Sequence, residues 1–182
     1  MICVGGLDLA ALEKRSTGIA VICNNELILI GIVHKDEEIF EIFDKYRVKV
    51  IAIDAPLSHA KGYRKVDLKM KRLGFKVLPP GWSSMKMLVD RALKVKSLFE
   101  KKNIKVIETH PLSALRSSGA HNLNELLKYM GINIAVKNRE LLKIRDVADA
   151  VIAAIVAKCY IESRILVVED VDGAIYLIPQ LV

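Results

Sequence analysis

Three apolar stretches of this 182-residue chain each run into a carboxylate: Met1 to Leu7 reaches Asp8, VKVIAID ends at Asp54, and IKVIE ends at Glu108. An acid at the end of a buried strand costs free energy unless a partner or a counterion compensates it. Two more acids, Asp146 and Asp149, stand three apart in RDVADAVIAAIVA, so on a helix they share a face otherwise given to small and apolar residues. Parallel strands of one sheet present their C-terminal ends on one edge, which brings Asp54 and Glu108 out side by side. Asp8 joins them if the first strand lies parallel to the fourth. Acids converging there repel one another unless divalent cations neutralise them. Oxygen donors without a nearby His or Cys cluster select a hard ion, Mg²⁺ or Mn²⁺. Such ions activate a water and stabilise the leaving oxygen of a phosphodiester.

Each acid also has a plainer reading. A strand-end acid often serves a cap or a turn, and Asp146 can pair with Arg145 or Arg139 on a helix surface. Asp149 is the hardest to account for in this way, because ADAVIAAIVA surrounds it with core-type residues.

The elements that must position these groups are legible from periodicity. Residues 1 to 8, 16 to 23 and 27 to 33 read as an antiparallel meander, with Asn24 and Asn25 in the tight turn between the last two. DEEIFEIFDKY places Ile39, Phe40 and Phe43 at helical spacing, ahead of the continuously apolar strand 48 to 54. In YRKVDLKMKRLG, Tyr63, Val66, Met70 and Leu73 share one helical face and Lys65, Lys69 and Arg72 another, and Gly74 stops the helix. Ser83 or Ser84 is placed to cap a long helix with a core stripe of Met85, Leu88, Ala92, Val95 and Phe99. After the strand 104 to 108 come short helices, with Pro111 in a first turn. A long helix from an Asn138 cap then carries Asp146 and Asp149, and ILVV–EDVDG–AIYLI reads as a terminal hairpin.

At 52% apolar content, the chain is sized for one domain spanning residues 1–182. No apolar run approaches the length of a membrane span and no basic leader precedes the first strand, so a cytoplasmic protein is expected. Cys3, Cys23 and Cys159 sit singly in apolar stretches, which reads as reduced core thiols rather than disulfides or a zinc site. Abundant lysine and glutamate with the single glutamine Gln180 lean towards a heat-adapted source. The net charge of +7 is concentrated in one place: residues 61–105 hold 14 Lys and Arg against 3 Asp and Glu, and the rest of the chain is acidic. That segment is either a solvated face or a polyanion surface.

The order and spacing of GLDLA, STGIAV, IAIDAPLS, the helix from Arg64 to Gly74, PPGWSSMKMLVDRA, VIETHP and RDVADA resemble the uncharacterised prokaryotic family of predicted nucleases of RNase H-like fold, over almost the whole chain. The resemblance implies an α/β fold, a five-stranded mixed sheet in the order 3-2-1-4-5 flanked by helices, with a basic helical insertion at about 61–105 and a C-terminal hairpin. In its terms Asp8 matches the first-strand aspartate that touches both metals, Asp54 the fourth-strand acid, and Asp149 the last-helix aspartate of junction resolvases. Glu108 follows the smaller family only. True RNases H also take a glutamate from the first helix; here Glu37, Glu38 and Glu41 are present, though a solvated acidic face is the simpler reading.

The expectation is therefore a Mg²⁺- or Mn²⁺-dependent nuclease. Asp8, Asp54, Glu108 and Asp149 would be catalytic, with Asp146 completing the metal ligands, and Arg64, Lys65, Lys69, Arg72, Lys86 and Arg91 would contact nucleic-acid phosphates. Trp82 could stack on a base, but a hydrophobic staple against Met87 is favoured. His59 and His110 lie near the acids and are read as loop residues before proton carriers. The competing function is a non-catalytic nucleic-acid or protein-binding module that keeps the acids for structure. A sugar-kinase type of phosphotransferase is disfavoured, because DLAALEKRSTG lacks the glycine-rich turn that cradles ATP phosphates.

Overall fold

The structure, a computed structural model, describes residues 1–181. The chain order is β1 (Cys3–Asp8), β2 (Thr17–Cys23), β3 (Glu26–Val33), α1 (Asp36–Lys45), β4 (Val50–Asp54), α2 (Lys65–Arg72), α3 (Ser83–Glu100), β5 (Lys105–Thr109), α4 (Pro111–Ser118), α5 (Leu123–Tyr129), β6 (Asn133–Ile134), a 3₁₀ turn (Arg139–Lys143), α6 (Arg145–Ile161), β7 (Leu166–Asp170) and β8 (Gly173–Leu177). These strands form one sheet in the order β6-β3-β2-β1-β4-β5-β8-β7. The order 3-2-1-4-5 lies at its centre, with β1, β2 and β3 antiparallel and β1, β4 and β5 parallel. Asn24 turns the β2–β3 hairpin at φ 53°.

The sheet is wider than the five strands expected. The terminal hairpin joins it by pairing β8 parallel to β5, which buries Val168, Ile175 and Leu177 instead of leaving a free edge beside Glu108. The two-residue β6 extends the far edge along β3.

Each face of the sheet has its own core. Under α6 lie Val4, Ala52, Ile107 and the inward residues of α2, α4 and α5; the opposite core holds Leu7, Ile51 and Ile53 with Phe43 of α1 and Phe99 of α3. The basic segment is thus divided: α2 lies on one face and α3 on the other.

Helix α6 rests on the sheet backbone. A Cβ on Gly6 would stand 2.0 Å from the Ala150 carbonyl oxygen, and one on Gly18 would stand 1.9 Å from that of Asp146. No side chain separates the helix from β1 and β2 at those points, so the helix start is seated directly over the ends of the two strands. The long helix expected from residue 139 is interrupted: residues 139–143 wind as a 3₁₀ turn, Ile144 is extended at ψ 125°, and α6 begins at Arg145. Asp146 therefore falls in the first turn, where the helix dipole favours a carboxylate.

Other local expectations are corrected. Cys3 and Cys23 are buried core residues, but they form a disulfide, because the antiparallel β1–β2 register sets them directly opposite each other at a Cα–Cα distance of 4.0 Å. Cys159 remains a buried thiol. Neither Ser83 nor Ser84 caps α3; Trp82 is the N-cap residue and its side chain makes no capping bond. Trp82 and Met87 are 56% and 47% exposed, so they do not close a staple. Among the described residues, no helix is long and apolar enough to cross a membrane.

The contact at the glycines gives a direct prediction. Gly6→Ala and Gly18→Ala should each lower stability by about 1–3 kcal/mol or more in urea unfolding, because backbone must move to admit the methyl. Gly31→Ala on β3, whose nearest atom would be a side-chain methyl at 3.8 Å, should stay within about 0.5 kcal/mol or gain slightly.

Candidate active site

The parallel register of β1 and β4 pairs Leu7 with Ile53, so Asp8 and Asp54 follow as neighbours at the ends of adjacent strands. Alternation along a strand puts both on the face of Gly6 and Ala52, the face that α6 covers. The seating of α6 over Gly18 and Gly6 delivers Asp146 and Asp149 to the same edge. Asp149 is buried, and the exposed Arg145 reaches it with Nε 3.4 Å from a carboxylate oxygen.

Charge and burial act together on this group. Burial, then the charges of Asp149 and Asp146, push Asp8 up to about 7, with Arg145 opposing. Asp54 is held well above the ordinary carboxylate range by burial, and then by Asp8, Asp149 and Glu108. Burial raises Asp149 as well, against Arg145. Among the described residues the carboxylates of Asp8 and Asp54 have no ion pair or hydrogen bond. Asp146 differs, since its carboxylate accepts the Ser16 hydroxyl at 2.7 Å.

Glu108 is placed otherwise. Register pairs it with Ile53 rather than Asp54, so alternation turns it towards the opposite face of the sheet. There it is committed to Arg64, whose Nη2 and Nη1 donate to its two oxygens at 2.5 and 2.8 Å, and it also accepts the Leu57 N–H. Arg64 donates equally to Asp67, through Nη2 at 2.7 Å and Nε at 3.0 Å. Burial works against the arginine's charge, but the hydrogen bonds it donates to Glu108 and Asp67 outweigh it and hold Arg64 above its ordinary value. The expectation that Arg64 contacts phosphate is overturned, because its guanidinium is buried and its donors are occupied within the fold.

Arg91 is corrected for the same reason. It is buried and donates to Asp36, to the Ala10 carbonyl and to the His34 carbonyl at 2.9, 2.8 and 2.7 Å. It anchors the turn that leaves β1 just after Asp8. Lys65, Lys69, Arg72 and Lys86 are exposed, with Lys69 donating to the Glu169 carbonyl. The solvated reading of the first helix holds for the exposed Glu37 and Glu41, while Glu38 accepts the His34 and Lys35 N–H groups at the helix start.

Two cavities meet at Asp8. One, of about 240 Å³, is lined by Asp54, Glu108, His110, Arg145 and Leu78 as well. The other, of about 410 Å³, adds Leu12, Arg15, Ser16, Met87 and Asp146. Burial, and then Arg145, keep His110 below its ordinary value, so at neutral pH it is uncharged, with Nδ1 2.7 Å from the Ser113 hydroxyl. His59 is on the surface beside Asp90, outside the site. Ser16 has no role legible from its sequence position, and Arg145 only a surface pairing with Asp146. The signal for Arg145 was its position immediately ahead of RDVADA's two acids.

The donor set of Asp8, Asp54 and Asp149 is all oxygen, half-buried or buried, and mutually repelling, which suits a hard divalent cation. Among the described residues, no three His, Cys, Asp or Glu side chains are drawn together into a ligating group.

No protein-family model and no curated protein matches this chain. Solved structures do. RuvC from Thermus thermophilus in complex with a Holliday junction substrate matches with a TM-score of 0.54 at 15% identity, over 90% of this chain and 96% of that one. A second Thermus thermophilus RuvC structure matches with a TM-score of 0.56 at 13% identity, over 89% and 96%. The fold is therefore the RNase H-like fold of RuvC.

The raised acids make stability depend on pH. Between the unfolded value near 4 and the folded value near 7, native Asp8 holds a proton that the unfolded chain has released, so stability falls as pH rises through that window. His110 acts in the opposite sense below its ordinary value. Comparing proteins isolates the acid: in EDTA, Asp8→Asn should be more stable than the wild type by roughly 2 kcal/mol at pH 8, and nearly equal to it at pH 4. Parallel urea midpoints at both pH values would refute this.

Proposed function

We propose that this chain is a divalent-cation-dependent phosphodiesterase acting on nucleic acid, with Asp8, Asp54 and Asp149 as the residues that hold Mg²⁺ or Mn²⁺. The observation that carries the reading is the convergence of Asp8, Asp54 and Asp149 on one edge of the sheet, half-buried or buried, where the charge of Asp149 raises both Asp8 and Asp54 and Arg145 is the cation that opposes it. A protein does not retain such a group for stability, since each member would be cheaper as a neutral residue. When bound, the cation supplies an activated water and neutralises charge on the leaving oxygen.

The chain's own residues divide the remaining tasks. Glu108 is a positioning residue: held by Arg64, it accepts the Leu57 N–H and so fixes the turn that follows Asp54. Arg91 fixes the turn that follows Asp8. Asp146, accepting the Ser16 hydroxyl, shares the lining of the larger cavity with Asp8. Neutral His110 lines the smaller cavity, with its ring fixed by the hydrogen bond between Nδ1 and the Ser113 hydroxyl. The RNase H-like fold shared with RuvC, one structure of which is described with a Holliday junction, supports nucleic acid as the substrate class.

The test is cleavage of labelled DNA and RNA substrates in Mg²⁺ or Mn²⁺. The wild type should cut at least one class. Asp8→Asn and Asp149→Asn should each lose about 10²-fold or more while remaining folded. Wild-type protein that binds Mn²⁺ and cuts nothing in the panel would favour the non-catalytic binding module instead.

A further inference from the structure

Residues 73–82 carry the chain from the α6 face of the sheet to the α3 face, and they cross at the carboxylate edge. Val66 and Met70 of α2 are in the core beneath α6, whereas Ala92, Val95 and Phe99 of α3 are in the opposite core. Between them, Val77 and Leu78 line the cavity that contains Asp8 and Asp54. The crossing is pinned at its end, where the Gly81 N–H donates to the Gly62 carbonyl at 3.1 Å. A Cβ on Gly81 would stand 2.3 Å from the Lys61 carbonyl, so only glycine permits this closure. The acids thus lie beneath a roof. The space left beside Asp8, about 240 Å³ on one side and 410 Å³ on the other, is the size of a small-molecule site. A nucleotide enters such a space only after leaving its stack.

The outer surface of this segment has a matching composition. Every exposed charged residue from 61 to 86 is a lysine or arginine, and the one acid there, Asp67, is buried against Arg64. Set among these cations are Leu73, Leu78, Trp82 and Met87, each about half exposed. Single exposed apolar residues are ordinary, but an aromatic and aliphatic series among cations, two of whose members, Leu78 and Met87, line the cavities beside Asp8, has a specific use. Unpaired bases offer apolar faces that stack on aromatic rings, while their backbone follows positive charge. A duplex hides those faces. Trp82 is positioned for this, because it begins the helix whose first turn lends Ser84 to one cavity and Met85 to the other.

We propose that the crossing segment is a platform for a single, unpaired nucleic-acid strand, with Trp82 stacking on a base beside the entrance to the carboxylate site. The proposal rests on the phosphodiesterase reading only for what becomes of the strand once bound; the binding itself is independent of it.

Trp82 is the sole tryptophan of the chain, so its emission reports on the platform directly. The experiment titrates the full-length protein in EDTA, where no cation-dependent cleavage occurs, with labelled single-stranded DNA, single-stranded RNA and the matched duplexes. Single strands should quench Trp82 emission and bind at least about tenfold more tightly than duplexes. The DNA and RNA arms show which strand chemistry is taken. By fluorescence anisotropy, Trp82→Ala should weaken single-strand binding about tenfold, Trp82→Phe should retain most of it, and Lys76→Glu should weaken it more than Lys128→Glu on α5. Duplex binding as tight as single-strand binding, or single-strand binding unchanged in Trp82→Ala, would overturn the proposal. Single-strand binding without cleavage of any substrate in Mg²⁺ or Mn²⁺ would instead overturn the phosphodiesterase reading and leave this one standing.

Discussion

The backbone contact between α6 and the two strands beneath it is the constraint from which the site follows. Helices normally stand off a sheet by the thickness of their side chains; here Gly6 and Gly18 remove that thickness. The start of α6 is consequently pressed onto the ends of β1 and β2, and Asp146 and Asp149 reach the edge where Asp8 and Asp54 emerge. The break at Ile144 matters for the same reason. A helix continuous from residue 139 would carry the acids in its interior, whereas one that starts at Arg145 presents them near its positive end.

The fold compensates some of its buried acids and leaves others exposed to mutual repulsion. Glu108 and Asp67 share Arg64, and Asp36 is met by Arg91 and Lys94; each is a structural ion pair that ties one segment to another. Removing one partner of such a pair leaves an uncompensated charge and costs more than the pair itself contributes. Among the described residues, Asp8, Asp54 and Asp149 have only Arg145 among them, reaching in from a largely exposed position. The contrast separates scaffold from site more sharply than burial does, since both sets are buried or partly buried.

Much of this was legible in the sequence, and what was not has identifiable physical reasons. Strand ends at Asp8 and Asp54 are marked by apolar runs that stop on an acid, and Asp149 by the alanine-rich stretch around it. Glu108 carries the same mark, yet a single residue of register relative to Asp54 turns it to the other face, and register is not written in one strand alone. Arg64 and Arg91 read as surface cations because spacing does not reveal which charge a fold will bury. Cys3 and Cys23 are 20 residues apart and meet only through antiparallel pairing. The excess of lysine and arginine in 61–105 was plain, but the chain crosses the sheet within it, so it forms two helical faces and a roof rather than one surface.

The central claim, that Asp8, Asp54 and Asp149 form one cation site while Glu108 stays with Arg64, is tested most directly by a crystal structure of the protein soaked in Mn²⁺, read by anomalous scattering. The account predicts an ion bound to Asp8 and to at least one of Asp54 and Asp149, with the Arg64–Glu108 pair intact. Manganese bound elsewhere, or a Glu108 that leaves Arg64 to take the ion, would contradict it.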